Sequence, residues 1–320
     1  MRDMRGLAAA LLCALPLLAA PPAARADEPV TLDVFAAGTL AVPFREIGAL
    51  FQQKYPNVTV HAQFGGSVKM AKQITELHQT ADLLAVADYN VIPKYLFGEP
   101  GYATWYAGFA RNAVTFVYTD TSQYAGEVSS TNWYQILARK GVEIGRSNPD
   151  TDPSGYQTVQ MLSLAESYYA VPGLAKSVLA NAPETNMRDT ETALISALQI
   201  GQIDYLAIYK SDALQHHLKF LDLPAAIDLS DPTFSARYAK AIARTKNGDL
   251  PGRPIVYALT IPSNAEHGEW AEKYAAFLLG PDGQAVMRKD GFGSFAPAYA
   301  VNPDRVPTSL SSYVKPWPQS

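Results

Sequence analysis

The chain has 320 residues, with 26 lysines and arginines against 30 aspartates and glutamates, and a formal net charge of −4 at pH 7. This length accommodates one large domain or two of ordinary size. The acidic balance argues against nucleic-acid binding, which needs clustered positive charge. If the ligand is an anion, local hydrogen-bond donors must meet its charge, because the overall field of the protein repels it.

The first 26 residues have the order of a secretory signal peptide. Arg2 and Arg5 form a basic start, residues 7–20 are largely apolar, and residues 24–26 (Ala-Arg-Ala) place small residues where signal peptidase reads. We therefore predict cleavage before Asp27 and a mature protein that is periplasmic or otherwise extracytoplasmic.

Cys13, the single cysteine of the chain, lies inside this apolar run and would be removed with it. It follows Leu12 rather than a small residue, so a lipid anchor is not expected. Cleavage also removes three basic residues and one acidic residue, which leaves 23 basic and 29 acidic residues and a net charge of −6. No later stretch is long and apolar enough to span a bilayer. We expect a soluble mature protein without disulfides that is stabilised by its core alone.

Strand-like and helix-like segments alternate along the first part of the mature chain. Residues 30–36 and 58–64 have strand character, and residues 82–87 form a continuous apolar strand of the kind buried in parallel sheets. Apolar positions recur at helical spacing over residues 41–55 and 68–77. This βαβ order predicts an α/β fold with helices on both faces of the sheet.

The second half repeats the alternation with three strands and three helices. The predicted strands cover residues 142–146, 203–209 and 255–261, and the predicted helices cover residues 159–169, 190–200 and 270–278. Because the same order begins again, we predict a second α/β lobe rather than one larger sheet.

Two crossings are expected to connect the lobes. The segment 109–118 would carry the chain out of the first lobe, and the strand 255–261 would bring it back. Lobe one would then consist of residues 27–112 and 253–320, and lobe two of residues 113–252, which are usual domain sizes. Such paired crossings can act as a hinge.

Two loops of the first lobe place a hydroxyl residue behind glycine at the start of a helix. They are residues 37–40 (Ala-Gly-Thr-Leu) and residues 65–67 (Gly-Gly-Ser). Glycine lets the backbone approach a ligand, and the free N–H groups of a helix start favour an anion. A serine or threonine there is more often only a cap. Two of them at the carboxyl ends of strands, where open α/β sheets bind ligands, indicate an anion site.

Three features of the second lobe have ordinary structural explanations when each is taken alone. The loop 147–156 contains two acids, two prolines and a glycine before a helix, which is typical of a turn with a helix cap. Glu191 is placed in a first helical turn, where acids complement the helix dipole. Tyr209 ends a strand, where half-buried aromatic residues are common.

Together, these segments resemble the tungstate/molybdate-binding receptors of ABC importers. The similar stretches follow one another over nearly the whole mature chain and cover residues 35–40, 65–67, 81–89, 132–134, 147–156, 201–211 and 252–260. The resemblance implies the two-lobed periplasmic-binding-protein fold (type II), with a hinge and an interlobe cleft that closes over the ligand. It implies a monomeric, non-enzymatic receptor without a cofactor that delivers molybdate or tungstate to a membrane permease driven by ATPase subunits.

The resemblance also implies which residues hold the oxyanion. Thr39 and Ser67 would contact its oxygens from one lobe, and Asp152, Glu191 and Tyr209 from the other. In the branch that this chain most resembles, the carboxylates of Asp152 and Glu191 bond directly to the metal centre and make it six-coordinate. Mo(VI) and W(VI) can accept two more oxygens, whereas sulfur and phosphorus cannot readily do so. The two acids would therefore repel sulfate and phosphate and still accept the metal oxyanion.

Two other ligand classes stay open at this stage. If Glu191 faced solvent, a four-coordinate site made of neutral donors could serve sulfate, thiosulfate or phosphate. Tyr168 and Tyr169 with nearby carboxylates could suggest ferric iron. Their place late in a predicted helix favours instead one core and one surface residue.

Zinc binding and hydrolysis are the remaining alternatives. His216 and His217 are adjacent, so their side chains point apart, and no cysteine or histidine-rich loop accompanies them. An exported hydrolase could use Asp152 and Glu191 as an acid/base pair, although no histidine or further acidic motif supports catalysis.

Overall fold

A seven-stranded sheet and a five-stranded sheet carry residues 28–318, the part of the chain that the computed structural model describes. The predicted signal peptide and the predicted cleavage site before Asp27 lie outside these residues. The first βαβ units agree with the predicted alternation. Their elements are β1 (Val30–Ala37), α1 (Ala41–Lys54), β2 (Val58–Gly65), α2 (Ser67–Thr75), β3 (Leu83–Val86), α3 (Val91–Leu96) and β4 (Tyr106–Arg111).

The middle of the chain builds the smaller sheet. Its elements are β5 (Val114–Tyr118), α4 (Trp133–Leu137), β6 (Ile144–Ser147), α5 (Pro153–Tyr169), α6 (Leu174–Ala180), β7 (Met187–Arg188), α7 (Ile195–Gln199), β8 (Tyr205–Tyr209), α8 (Lys210–Gln215), β9 (Lys219–Phe220), α9 (Ser235–Tyr238) and the hairpin β10 (Ile242–Thr245) and β11 (Gly248–Pro251). The strand order is β7-β6-β8-β5-β9, and the hairpin forms a separate two-stranded sheet.

The last part of the chain returns to the larger sheet. It contributes β12 (Val256–Thr260), α10 (Gly268–Leu279), α11 (Pro281–Lys289), β13 (Gly293–Val301) and β14 (Val314–Pro316). The strand order of the larger sheet is β14-β13-β4-β12-β3-β1-β2, in which β12 runs antiparallel to both β3 and β4. This gives the predicted α/β fold two separate sheets, each with its own helices.

The predicted helix 190–200 is wrong as a single element. Residues Glu191–Leu194 form a 3₁₀ turn, and only Ile195–Gln199 form an α-helix. Thr190 occupies the N-cap position, but its side chain makes no capping hydrogen bond. A 3₁₀ turn has three residues per turn, so the α-helical spacing behind the prediction does not apply there, and Glu191, the first residue of the turn, is buried. The strand predicted at 142–146 is also shifted and runs over Ile144–Ser147.

Apolar packing confirms the helical faces predicted from spacing. Phe51 of α1 packs edge-on against Tyr274 of α10, with ring centroids 5.1 Å apart, and against Trp270 at 6.5 Å. Phe44 contacts the same Tyr274 ring at 6.5 Å. Such aromatic pairs add stability beyond their buried area. They fix α1, and with it the turn that precedes α1, against the larger sheet.

Strand register brings the two glycine loops together. β1 and β2 pair in parallel from Val30 opposite Val58 to Ala37 opposite Gly65. Both strands therefore end side by side, and the turns that follow them start at the same edge of the sheet. In the smaller sheet, β6 is parallel to both β7 and β8. The loops after these three strands consequently start at one edge of that sheet.

The two crossings between the sheets are short. Only Asn112 and Ala113 separate β4 from β5, and residues 252–255 separate β11 from β12. The crossings contact each other, since the Asn112 N–H donates to the Ile255 carbonyl at 3.4 Å. The larger sheet draws its strands from residues 30–111 and 256–316, and the smaller sheet from residues 114–220. The exact lobe boundaries stay a prediction.

The lobes are in contact across the cleft. The Tyr156 hydroxyl of α5 donates to Asp88 Oδ2 at 2.7 Å, and Lys69 Nζ of α2 lies 3.1 Å from Asp189 Oδ2. The backbone of Gly66 comes so close to the other lobe that a Cβ there would lie 2.4 Å from the Thr151 carbonyl oxygen. The chain is therefore in a closed arrangement. Within residues 28–318, no helix has the length and apolar character of a membrane span.

This close approach makes Gly66→Ala a test of closure. The backbone of Gly66 (φ −57°, ψ 132°) suits alanine, so the fold itself should tolerate the change, but the added methyl group would strike the Thr151 carbonyl only when the lobes close. Small-angle X-ray scattering should give a larger radius of gyration for the variant than for the wild type. Gly126→Ala, where no atom lies within 4 Å, is the control. Equal radii for the variant and the wild type would contradict the closed geometry.

Candidate functional site

Two hydroxyl side chains of the larger lobe lie buried at the cleft. Ser67 is the first residue of α2, and its Oγ accepts the backbone N–H of Ala87 at 2.9 Å. Thr39 lies in a 3₁₀ turn between β1 and α1, and its Oγ1 lies 2.9 Å from the Tyr257 hydroxyl. Because the Ala87 N–H can only donate, the hydroxyl proton of Ser67 is left for another acceptor.

Two acids of the smaller lobe are buried opposite these hydroxyls. Asp152 occupies the N-cap position of α5 and is 3% exposed, yet its side chain makes no capping hydrogen bond. Glu191 begins the 3₁₀ turn after β7 and is 1% exposed, so it does not face solvent. Asp152 is therefore not explained by a role as a helix cap. Glu191 is likewise not explained as a solvent-exposed acid in a first helical turn.

The carboxyl groups of Asp152 and Glu191 approach each other within hydrogen-bond reach. Burial is the main cause that raises the pKa of Asp152, while Glu191, the Ser147 hydroxyl and the Ser67 backbone N–H act in the opposite direction. The pKa of Glu191 lies well above its usual range, first because of burial and then because of the Asp152 charge. Two adjacent carboxylates cannot both ionise cheaply in such surroundings, so the raised pKa values favour the protonated, neutral form of one of the two acids.

Several buried polar atoms around this pair have no hydrogen-bond partner within residues 28–318. They are Ser147 Oγ, Asp152 Oδ2, Ser154 Oγ, Glu191 Oε1 and Asp212 Oδ2. An unsatisfied buried polar group costs about 1–3 kcal/mol. Such groups are rare in native proteins, and each one needs an explanation. Their concentration at one place indicates that a polar ligand completes the site.

Asp212 is an acid that the sequence analysis missed. It lies in the first turn of α8, directly after the strand that ends at Tyr209, and it is fully buried. Burial, followed by the charge of Asp152, raises its pKa well above the usual range. Its position close after the end of a predicted strand was the sequence signal that could have identified it. Its burial could not be read from the sequence.

Tyr209 is completely buried at the end of β8. Its hydroxyl donates to Gln157 Oε1 of α5 at 2.6 Å, so in this arrangement its proton is directed to that amide. Burial raises the pKa of the phenol well above its usual range, which keeps it protonated. The ring meets Tyr257 of the other lobe edge-on, with centroids 6.0 Å apart. Tyr209 thus lies at the boundary between the lobes.

The turns that carry four of the five predicted residues face each other in pairs. A Cβ on Gly38, beside Thr39, would lie 3.3 Å from Thr192 Oγ1 in the turn that Glu191 begins. The equivalent approach of Gly66 to Thr151 places Ser67 opposite the Asp152 loop. In the closed cleft, the turns that carry hydroxyl side chains in one lobe therefore lie opposite the turns that carry carboxyl groups in the other lobe.

The tyrosine and histidine pairs gain no support as metal sites. Tyr169 stacks on Tyr134 with centroids 4.4 Å apart, while Tyr168 is exposed beneath the guanidinium of Arg237. This agrees with the predicted core and surface pair. Across residues 28–318, no three histidine, cysteine, aspartate or glutamate side chains are grouped as a metal ion would require.

Comparison with known proteins places the chain in a family. Residues 32–293 match the family described as bacterial extracellular solute-binding protein. The chain belongs to this family. A solute-binding protein of Petrotoga mobilis is 40% identical over 288 residues, covering 88% of this chain and 89% of that protein. One from Methanococcus maripaludis (strain C5) is 38% identical over 314 residues, covering 89% and 88%. Both relatives are described as uncharacterized solute-binding proteins.

Solved structures of solute-binding proteins share the fold. The periplasmic molybdate-binding protein of Azotobacter vinelandii has a TM-score of 0.61 at 18% identity, with 82% of this chain and 98% of that chain covered. The sulfate-binding protein of Mycobacterium tuberculosis has a TM-score of 0.58 at 13% identity, with 90% and 94% covered. At these identities the likeness shows the fold alone. It confirms the predicted two-lobed architecture of periplasmic binding proteins.

Family membership also confirms the coarse function predicted from the sequence. Solute-binding proteins of this type take up small solutes outside the cytoplasm and work with ABC permeases. Such proteins are typically binding proteins rather than enzymes. The family does not specify the solute, because its structural neighbours include proteins for different anions.

The buried acids make the stability of the ligand-free protein depend on pH. Folding raises the pKa of Glu191 above its unfolded value, so the folded protein binds this proton more tightly than the unfolded chain does. The stabilisation that results is complete below about pH 4 and is lost as pH rises through the folded pKa. The free energy of unfolding should therefore fall as pH rises above the pKa of an unfolded glutamate, about 4.3, and through the raised folded pKa of Glu191.

Glu191→Gln should make this pH dependence shallower and stabilise the ligand-free protein at pH 8 by about 1–3 kcal/mol, because it removes an unsatisfied buried acid. Urea unfolding at a series of pH values measures both effects. The exposed Glu184→Gln is the control. A slope unchanged from the wild type would show that Glu191 is not protonated on folding.

Proposed function

We propose that this solute-binding protein captures molybdate or tungstate and delivers it to an ABC permease. Thr39 and Ser67 would contact the oxygens of the anion, and Tyr209 would do so when its hydroxyl turns from Gln157 Oε1 to the ligand. Asp152 and Glu191 would bond directly to its metal centre and make it six-coordinate. The observation that carries this proposal is the buried carboxyl pair, whose oxygens Asp152 Oδ2 and Glu191 Oε1 have no hydrogen-bond donor within residues 28–318.

A carboxylate is unfavourable beside an ordinary dianion. Two buried negative groups near a sulfate would add repulsion that no solvent screens. Within residues 28–318, no lysine or arginine is hydrogen-bonded or ion-paired with any of the five proposed residues. A site of this composition therefore suits an anion whose central atom can accept carboxylate oxygens. Mo(VI) and W(VI) are hard centres that do so, since hard metal centres prefer oxygen ligands.

The hydroxyls supply the complementary half of the site. Ser67 Oγ already accepts a backbone N–H, so its proton is free to donate to an oxo group. Hydrogen bonds to charged groups contribute about 1.5–3 kcal/mol each. Donors from one lobe and metal-binding carboxylates from the other would bind a ligand only when both lobes meet. This couples capture to the closed form that a permease recognises.

A hydrolase using Asp152 and Glu191 is less consistent with this geometry. The paired carboxyls of glycoside hydrolases stand about 5–9.5 Å apart so that a sugar or a water fits between them. In this protein the two carboxyl groups are within hydrogen-bond reach. The arrangement therefore supports binding of one compact ligand.

A thermal-shift panel tests the proposed ligand. Ligand-stripped protein is heated with tungstate, molybdate, sulfate, phosphate or ferric citrate. A ligand present at about a thousand times its dissociation constant should stabilise the protein by roughly 4 kcal/mol. We expect this response to tungstate and molybdate. A larger response to sulfate, phosphate or ferric citrate would contradict the proposal.

Asp152→Asn tests the selectivity mechanism on the same panel. The amide keeps the shape of the side chain but cannot replace a carboxylate as a metal ligand. Isothermal titration should show tungstate affinity lowered by at least about 10–100-fold, since even outer groups around metal ligands contribute that much. Sulfate binding should be unchanged or improved. Asp150→Asn in the same loop, whose carboxylate accepts the Lys246 N–H at 2.8 Å, is the control. Equal losses for both anions would argue against direct metal bonding.

A further inference from the structure

The side-chain amide of Asn112 is held in one orientation at the first crossing between the lobes. Its Oδ1 accepts two backbone N–H groups, from Ala113 at 3.0 Å and from Ser211 at 3.2 Å. Backbone N–H groups can only donate, so the atom facing them must be the amide oxygen. The amide nitrogen consequently faces the opposite side, and the orientation does not depend on an arbitrary choice between oxygen and nitrogen.

The Asn112 amide nitrogen donates in two directions. Nδ2 lies 2.7 Å from Ser211 Oγ and 3.3 Å from the Tyr257 hydroxyl oxygen. An amide NH₂ group has no acceptor capacity. The hydroxyl oxygen of Tyr257 therefore accepts from Asn112, and the direction of this bond is fixed.

The proton of the Tyr257 hydroxyl then has one acceptor. Tyr257 is completely buried, and within residues 28–318 its hydroxyl makes hydrogen bonds only to Asn112 and to Thr39 Oγ1. If Thr39 donated to it, the Tyr257 proton would be buried without an acceptor, which costs about 1–3 kcal/mol. Tyr257 therefore donates to Thr39. Burial raises the pKa of Tyr257 well above its usual range, so that proton is retained.

The Tyr257 ring is fixed by its neighbours. It packs edge-on against Phe292, with centroids 5.1 Å apart and planes at 88°, and meets Tyr209 on the other side. The hydroxyl therefore stays between Asn112 and Thr39. Because Thr39 Oγ1 accepts from Tyr257, the proton of Thr39 has no acceptor within the described part of the chain.

We propose that Asn112 and Tyr257 are positioning residues that hold the Thr39 hydroxyl with its proton directed at the bound oxyanion. The donor chain runs from Asn112 Nδ2–H to the Tyr257 hydroxyl, then to the Thr39 hydroxyl, then to an anion oxygen. This inference deepens the proposed function and rests on Thr39 being an oxyanion donor. It adds two residues that contact no ligand but decide whether Thr39 donates or accepts.

The donor chain also connects the ligand to the hinge. Asn112 is one of the two residues between β4 and β5, and its Oδ1 is held by the N–H of Ser211 in the smaller lobe. Tyr257 lies in β12 of the larger sheet, and Thr39 lies in the turn that follows β1 of the same sheet. The amide is thus oriented by one lobe and acts on a donor of the other.

Asn112→Asp reverses the chain with almost no change in shape. A carboxylate cannot donate to Tyr257, so the Tyr257 proton turns to the carboxylate, and Thr39 then donates to the Tyr257 oxygen. The anion loses this donor. Isothermal titration of ligand-stripped protein should show tungstate and sulfate affinities each lowered by roughly 10–100-fold, the loss expected for one hydrogen bond to a charged group.

A double-mutant cycle separates this mechanism from simple repulsion by the new charge. In a Thr39→Val background the donor is already absent, so Asn112→Asp should lower both affinities by less than about 2-fold. If charge repulsion or a general loss of structure caused the weaker binding, Asn112→Asp would lower the affinities just as much in the Thr39→Val background. Tyr257→Phe, which adds no charge, frees Thr39 to rotate and should lower both affinities by about 3–10-fold.

Asn181→Asp is the matched control. Asn181 Nδ2 donates to the carbonyls of Leu137 and Arg139, each at 2.8 Å, away from the cleft. This variant should lose thermal stability and keep both affinities. Wild-type affinities in Asn112→Asp, or an equal loss with and without Thr39, would overturn the donor chain. If the wild type bound sulfate but not tungstate, the proposed ligand would be overturned, and the same variants would still test the donor chain with sulfate. Binding of neither anion by the wild type would overturn both.

Discussion

The fold holds two carboxyl groups, Asp152 and Glu191, against each other in the closed cleft, where both are buried. Taking acids out of water is expensive, and close packing does not recover that cost. The pair is tolerable when it shares a proton, or when a ligand accepts its free oxygens. Stability and ligand binding therefore draw on the same two groups. A pair of acids that lowers the stability of the protein without ligand is useful if the ligand removes this energetic cost. Unpaired polar groups and strain at binding sites usually have this reason.

The architecture distributes the complementary parts of the site between the lobes. Parallel register aligns the ends of β1 and β2, so the turns that carry Thr39 and Ser67 leave the larger sheet together. The parallel strands around β6 do the same for the loops that lead to Asp152 and Glu191. Closure brings donors to acids, and glycine at position 66 permits the approach. In the proposed function, the ligand stabilises the closed form because only that form offers both halves.

Much of this arrangement could be predicted from the sequence, because it depends on local patterns. Alternating strands and amphipathic helices gave the α/β fold, and glycine before Thr39 and Ser67 marked two strand ends. Long-range contacts had no such signal. Thr39 meets Tyr257 across 218 positions. Asn112 lies outside every similar stretch, Tyr257 lies in the stretch 252–260 without any local sign of its contact, and nothing local shows that Asp212 is buried. The helix predicted at 190–200 was wrong because apolar spacing does not distinguish a 3₁₀ turn from the first turn of an α-helix.

The central claim is that the Asp152 and Glu191 carboxylates bond to the metal centre of the ligand. Tungsten L₃-edge X-ray absorption on the purified complex with tungstate measures this directly, because the fine structure counts the oxygen atoms around the metal and gives their distances. The account predicts six oxygens, with two of them lost in an Asp152→Asn, Glu191→Gln double variant that still binds. Four oxygens at a single short distance in the wild-type complex, as in free tungstate, would contradict it.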